Sequence, residues 1–244
     1  LGSGNGQFTD PVELAIGPNS RIYVADSNNH RIQILERNGT FVKAFGSNGT
    51  GDGEFNIPRG LDISSQGEVF VLDTINSAIK VFDLNGSFIR KFGSQGNLDG
   101  QFSLQTYSLS VDDSGKVFLA DRGNKRISVF SSIGNFLYKF GTGSRNGDSN
   151  MLCTIKVLPT GLIGTAGESL EIMKSTVRLR EKNGDLVKTF TYGGAPWNGD
   201  WVPFNQFSDG DIVYAHKTEN KLYFLSQTYR ALRANPSKDG PLPE

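Results

Sequence analysis

Phe8, Phe55 and Phe102 stand 47 residues apart, and each closes a glycine-rich run: Gly4-Asn5-Gly6-Gln7-Phe8, Gly51-Asp52-Gly53-Glu54-Phe55 and Leu98-Asp99-Gly100-Gln101-Phe102. Periodicity of this length marks one supersecondary unit copied and stacked, because a single unit of that size cannot bury its own apolar face. Phe45, Phe92, Phe140 and Phe190 recur at spacings of 47, 48 and 50, and Gly39, Gly86, Gly134 and Gly184 keep the same spacings. The repeat makes the fold legible. It does not by itself specify a function.

Inside each unit the apolar residues alternate with period two, as strands require, and turn residues interrupt them at short intervals. Unit one is expected to hold strands at Val12 to Ile16, Arg21 to Asp26, Arg31 to Leu35 and Thr40 to Phe45. Unit two repeats them at Glu68 to Asp73, Ala78 to Phe82 and Ser87 to Phe92, and unit three at Lys116 to Asp121, Arg126 to Phe130 and Asn135 to Phe140. Asn38-Gly39, Asn85-Gly86 and Asn183-Gly184 fall between the third and fourth strands, where a two-residue hairpin with positive φ at both positions is expected. A fourth unit places its third strand at Thr176 to Arg180, after an insertion around Ser169 to Ser175. A fifth reads as Asp211 to His216, Lys221 to Leu225 and Tyr229 to Arg233.

Repeated four-stranded antiparallel units of about 40 to 50 residues describe an all-β chain folded as a β-propeller. Five blades are readable, at about 8–46, 55–93, 102–141, 150–191 and 201–233, within a propeller spanning 1–233, and 234–244 form a polar C-terminal tail. Two phrases bring a known family into view. One is Phe55-x-x-Pro58-x-Gly60-Leu61, followed by Gly67-Glu68-Val69-Phe70-Val71-Leu72-Asp73 and Ile79-x-Val81-Phe82-x-x-x-Gly86; the other is Ile22-Tyr23-Val24-Ala25-Asp26-x-x-Asn29-His30-Arg31-Ile32. The pattern resembles the NHL repeat, most fully over residues 1–141 and in part over 142–190. The resemblance implies a propeller that usually has six blades. Leu1-Gly2-Ser3 aligns with Phe45-Gly46-Ser47, so the numbering starts mid-repeat, and five blades are expected to close, or six if a further blade lies outside this sequence.

Composition removes several function classes. The 25 basic and 25 acidic residues balance, which takes away the usual electrostatic case for nucleic acid as a partner. No run approaches the roughly 20 apolar residues of a membrane-spanning helix. Cys153, the sole cysteine, can make neither an intrachain disulfide nor a cysteine-based zinc site. Leu1 in place of an initiating Met marks either a processed mature protein or a fragment, and a secreted, periplasmic or cell-surface location is expected; Asn38, Asn48 and Asn85 match the glycosylation acceptor pattern, though two of them stand in hairpin turns that call for Asn-Gly in any case.

Candidate residues cluster in turns and linkers. Asp26 with Arg31, and Asp121 with Arg126, recur five apart across the turn between second and third strands, the spacing of a structural ion pair that would stiffen the corner. Unit two keeps Asp73 but carries Ala78. His30 and His216, the sole histidines, lie at the same kind of turn, but no acidic cluster accompanies them, so no metal site and no cofactor is expected. The linkers mix Gly, Asn and Asp, which serves sharp turns better than calcium. Basic residues gather in units three and four, from Arg122, Lys125 and Arg126 onward, spread over several strands and turns rather than one face. Trp197 and Trp201 flank Asn198-Gly199-Asp200 in a linker, the kind of aromatic pair that can anchor a partner.

These readings converge on a non-catalytic scaffold that presents loops to a protein, glycan or surface partner, with Trp197, Trp201, His30, His216, Arg122 and Lys125 as binding candidates and no catalytic residue. The family resemblance also carries two alternatives. One is a metal-dependent lyase or lactone hydrolase built around the central channel; the other is RNA binding through a positive face. The shortage of histidines and convergent acids speaks against the first, and the neutral charge against the second.

Overall fold

The structure, a computed structural model, describes residues 1–141, 150–169, 174–192, 204–206, 212–216 and 221–225. Four four-stranded antiparallel sheets follow one another along the chain, each strand pairing with the next in sequence. The first holds β1 (Pro11–Ile16), β2 (Ile22–Asp26), β3 (Arg31–Leu35) and β4 (Phe41–Phe45). The second holds β5 (Pro58–Ile63), β6 (Val69–Asp73), β7 (Ala78–Phe82) and β8 (Phe88–Phe92). Two short strands in the next linker, β9 (Ser94–Gln95) and β10 (Gln101–Phe102), pair in parallel. The third sheet comprises β11 (Thr106–Val111), β12 (Val117–Asp121), β13 (Arg126–Phe130) and β14 (Phe136–Gly141). The fourth comprises β15 (Asn150–Val157), β16 (Ile163–Ser169), β17 (Lys174–Arg180) and β18 (Leu186–Tyr192). A last sheet contributes β19 (Phe204–Gln206), β20 (Ile212–His216) and β21 (Lys221–Leu225).

The innermost strands β1, β5, β11 and β15 are successive neighbours, so the sheets are blades set around a common channel, and the fold is a β-propeller. Blades pack face to face. Tyr23, Ala25, Ile32 and Ile34 of the first meet Leu61, Val69, Val71 and Phe82 of the second. Phe70, Leu72, Ile79 and Val81 on the other side of the second blade meet Leu109, Val117, Leu119 and Phe130. Phe118, Ala120, Ile127 and Val129 then meet Leu152, Ile155 and Ile163. Both faces of a middle strand are therefore covered, which is why β6 and β12 are buried at every position while the rim strands β8 and β14 alternate. Each such side chain contributes about 2 kcal/mol by leaving water.

The repeated phenylalanines close the linkers. The Gly2, Gly49 and Gly96 amides donate to the carbonyls of Phe8, Phe55 and Phe102, each at 3.1 Å. The rings of Phe55 and Phe102 lie over Gly46 and Gly93, where an added Cβ would fall 2.4 and 2.3 Å from ring carbons. Both glycines also have positive φ, at 100° and 89°, so conformation and close approach demand the same residue.

Two expectations are corrected. In the Asn-Gly hairpins only the glycine takes positive φ, as at Gly39 (86°) and Gly86 (80°). Gly39 N donates to Glu36 O and Glu36 N to Thr40 O, with a register shift at Ile34/Leu35, so the connection is a four-residue turn followed by a glycine bulge rather than a two-residue hairpin. In the fourth unit the third strand begins at Lys174 rather than Thr176, because part of the insertion is itself strand. The insertion lengthens the β16–β17 hairpin to seven residues a side, with Ser169 opposite Lys174. The expected strand Tyr229 to Arg233 lies outside the described residues.

Candidate functional site

In the first three blades the turns between second and third strands gather at one end of the channel, each held by a buried aspartate. Asp26, Asp73 and Asp121 are fully buried. Each accepts through Oδ1 from the amide just after a repeat phenylalanine, those of Thr9 (2.7 Å), Asn56 (2.7 Å) and Ser103 (3.0 Å). Asn29, Asn76 and Asn124 donate to the same carboxylates and to the carbonyls of Gly2, Gly49 and Gly96. A cation completes each corner: Arg31 at 2.8 Å, Lys80 at 2.9 Å and Arg126 at 3.0 Å. Lys80 stands two residues beyond Ala78, on the same strand face, and supplies the charge that Ala78 lacks. Its ammonium also donates to Gly51 O at 2.7 Å. These corners are structural. They fix the linkers.

Within this frame the first turn residue changes character along the chain. Ser27 donates to Pro58 O and Thr74 Oγ1 to Thr106 O (3.4 Å), each tying its blade to the innermost strand of the next. Arg122 occupies the corresponding position in the third blade, and its guanidinium lies 5.5 Å from the centre of the Tyr107 ring. Arg59 lies 4.8 Å from the same ring. Arg59 and Tyr107 both sit in bulges at the start of their innermost strands, where register shifts between Pro58 and Leu61 and between Thr106 and Leu109. The two positive charges are thus within about 10 Å of each other, where repulsion amounts to about 0.4 kcal/mol in water and about 1.7 kcal/mol at an effective dielectric constant of about 20. Nothing in the repeat requires this gathering, since the first blade has Val12 and Ser27 at the matching positions.

Deeper in the channel, polar residues of the innermost strands interlock. Glu13 accepts from Leu61 N (3.1 Å) and Ser108 Oγ (3.2 Å), joining three blades. Asp62 accepts from Ser110 Oγ (2.7 Å), Val111 N (2.9 Å) and Lys156 Nζ (3.1 Å), extending the network to the fourth. Burial pushes the Glu13 carboxyl from its ordinary 4.5 up to about 8, with Lys156 opposing the rise and Asp62 adding to it. Glu13 therefore holds a proton near neutral pH. Sequence reasoning found no convergent acids; the structure brings Glu13 and Asp62 onto one channel wall. Even so, no group of three metal-ligating side chains occurs among the described residues.

Of the residues singled out by sequence, Arg122 lies at the channel end, and Lys125 shares its turn, exposed and with positive φ (52°). His30 adopts the same backbone geometry (φ 53°), and its Nδ1 accepts from Ile57 N at 3.2 Å, so it links the first blade to the second. Backbone alone is described at His216, and Trp197 and Trp201 lie outside the described residues. Arg59, Tyr107, Glu13, Asp62 and Lys156 were not singled out. Counting 46 to 48 residues along the innermost strands exposes them as charged or aromatic members of sets that also hold small or apolar residues.

The fold and site place the chain among β-propellers. A family model described as a 6-bladed beta-propeller matches residues 15–95. A stretch of 44 residues is 50% identical to Protein brain tumor of Drosophila melanogaster, covering 18% of this chain and 4% of that protein. Among solved structures, hydrazine synthase of Kuenenia stuttgartiensis superposes with a TM-score of 0.63 at 12% identity, over 88% of this chain and 59% of that one. A catalytically inactive virginiamycin B lyase from Staphylococcus aureus with quinupristin superposes with the same score and identity, over 89% and 67%. At 12% identity these likenesses concern the fold alone.

Proposed function

We propose that this chain is a non-catalytic binding propeller of the NHL-repeat kind, whose turn end meets a protein or glycan partner. One observation carries the reading. At Arg122 the chain abandons a hydroxyl that two preceding blades use to join neighbours, and sets a guanidinium over Tyr107 beside Arg59. A half-buried cation set over an aromatic ring in a turn at the channel end is placed where recognition by a rigid scaffold is expected. The NHL assignment rests on the Ile22–Ile32 and Phe55–Gly86 phrases. The test is an affinity capture from the native source, and a glycan array, comparing the unmodified protein with an Arg122→Ala/Lys125→Ala double variant. Species retained by the first and lost by the second, with an unchanged melting temperature, are expected. Equal retention by both would remove the turn end from the interface.

A second reading, a channel-centred lyase or hydrolase, draws on Glu13. A carboxyl that keeps its proton near neutral pH in the same network as Lys156 is a serviceable general acid. A stoichiometric divalent ion in the purified protein, lost in Asp62→Asn, would favour it.

A further inference from the structure

The geometry points to a proton-driven switch in the channel: the Ser108 hydroxyl donates to Ile155 of the fourth blade while Glu13 holds a proton, and turns to Glu13 when that proton leaves. The switch concerns how the blades are fastened and does not depend on what the turn end binds. A hydroxyl carries one hydrogen and can accept two. Ser108 Oγ accepts from Ile155 N at 3.3 Å, and it lies 3.4 Å from Ile155 O and 3.2 Å from Glu13 Oε1. Two oxygens thus compete for one hydrogen. Both separations exceed the about 2.7–2.8 Å usual between a hydroxyl and its acceptor, so the hydrogen is committed to neither. A proton on Glu13 resolves the competition: its O–H donates to the second lone pair of Ser108 Oγ, and the Ser108 hydrogen goes to Ile155 O. With Glu13 ionised, Ser108 donates to the carboxylate in a stronger, charge-assisted bond, and Ile155 O loses that donor.

Ser110, two residues along β11, is a committed hydroxyl by contrast. It accepts from Val157 N at 3.0 Å and donates to Asp62 Oδ2 at 2.7 Å. Both serines take an amide of β15, but Ser108 faces a carboxylate and a carbonyl together. Glu13, Gly60 and Ser108 hold corresponding places in the bulges of β1, β5 and β11. Gly60 has no side chain to offer, and Glu13 reaches past the second blade to the third. Ser108 and Ile155 are buried, so water competes little for the hydrogen. The groups around Glu13 set the pH window. Burial favours the neutral acid most strongly, Lys156 of β15 opposes it and Asp62 of β5 adds to it, so the proton is held until pH rises through about 8. Lys156 and Asp62 also pair with each other at 3.1 Å, and β11 meets Glu13 with the uncharged Ser108.

The experiment is nuclear magnetic resonance of the purified, isotope-labelled protein from about pH 6 to about pH 10, following the Glu13 carboxyl carbon and the Ile155 carbonyl carbon. The two are expected to titrate with one midpoint near about 8, the Ile155 carbonyl moving upfield as it loses its donor. Glu13→Gln should abolish the step at Ile155. Ser108→Ala should keep a step at Glu13 and abolish the one at Ile155, whereas the field of the carboxylate acting through space would survive that substitution. Ser110→Ala should leave the Ile155 step in place, because Ser110 serves Asp62 and Val157. Ser108→Gly serves if the alanine variant does not fold. An Ile155 carbonyl that does not follow Glu13, or that follows it equally without the Ser108 hydroxyl, overturns the inference, as does a Glu13 carboxyl that titrates with ordinary acids.

Discussion

Glu13 offers the sharpest quantitative test. Its carboxyl has a pKa of about 8 in the folded protein against an ordinary 4.5, raised first by burial. The folded state thus retains a proton that the unfolded chain has released across that window. The stabilisation is full below the ordinary value and is lost as pH rises through about 8. The shift taken whole corresponds to about 5 kcal/mol, at about 1.36 kcal/mol per pKa unit. Glu13 keeps some accessible surface, however, and water reaching the carboxylate lowers the expected figure to about 2 kcal/mol. Glu13→Gln preserves an acceptor for Leu61 N and removes the titration. Urea unfolding monitored by circular dichroism at about pH 5 and about pH 9 should show the wild type losing about 2 kcal/mol more than the variant. Parallel losses in the two proteins would show that Glu13 titrates normally and that solvent reaches it freely.

Three further outcomes follow from the corners, the linkers and the hairpins. Asp121→Ala should cost about 3 to 5 kcal/mol in denaturant unfolding, since it strands the buried Arg126 guanidinium and the Ser103 amide together. Exposed Asp52→Ala should cost less than about 1 kcal/mol, because its pairing with Lys91 is solvated. Gly134→Ala, at φ 93° and with a Cβ placed 2.4 Å from the Phe92 ring, should lower stability by about 2 kcal/mol or more; an unchanged thermal midpoint would mean that Phe92 moves aside at no cost.

The phenylalanine spacing and the period-two strands made the propeller legible, because each unit must solve the same packing problem and so repeats its apolar residues. The acids of the corners were visible for the same reason. Lys80 was not, because the cation moves two positions along one strand face, which a fixed five-residue spacing does not register. Arg59 and Tyr107 escaped because their direction is set by bulges, and alternation alone cannot say where an extra residue points. Glu13 and Asp62 lie in innermost strands, on a channel that exists only once blades are assembled around it, so no local pattern announces their meeting. The Asn-Gly turns were misread in type because the bulge that follows them depends on strand twist rather than on the dipeptide.

The aspartate corner has one more implication. The charged and amide groups that form the corner around a linker, such as Asp73, Asn76 and Lys80 around Gly49, Gly51 and Asn56, come from the blade that follows it. The natural cut in this chain therefore falls between Phe45 and Gly46, and the segment from Gly46 to Phe92 travels with its own fastening. A gene that duplicates or drops such a cassette changes the number of blades and leaves the aspartate corners of the remaining blades intact. Growth and loss by whole units then become an inexpensive evolutionary step for this architecture.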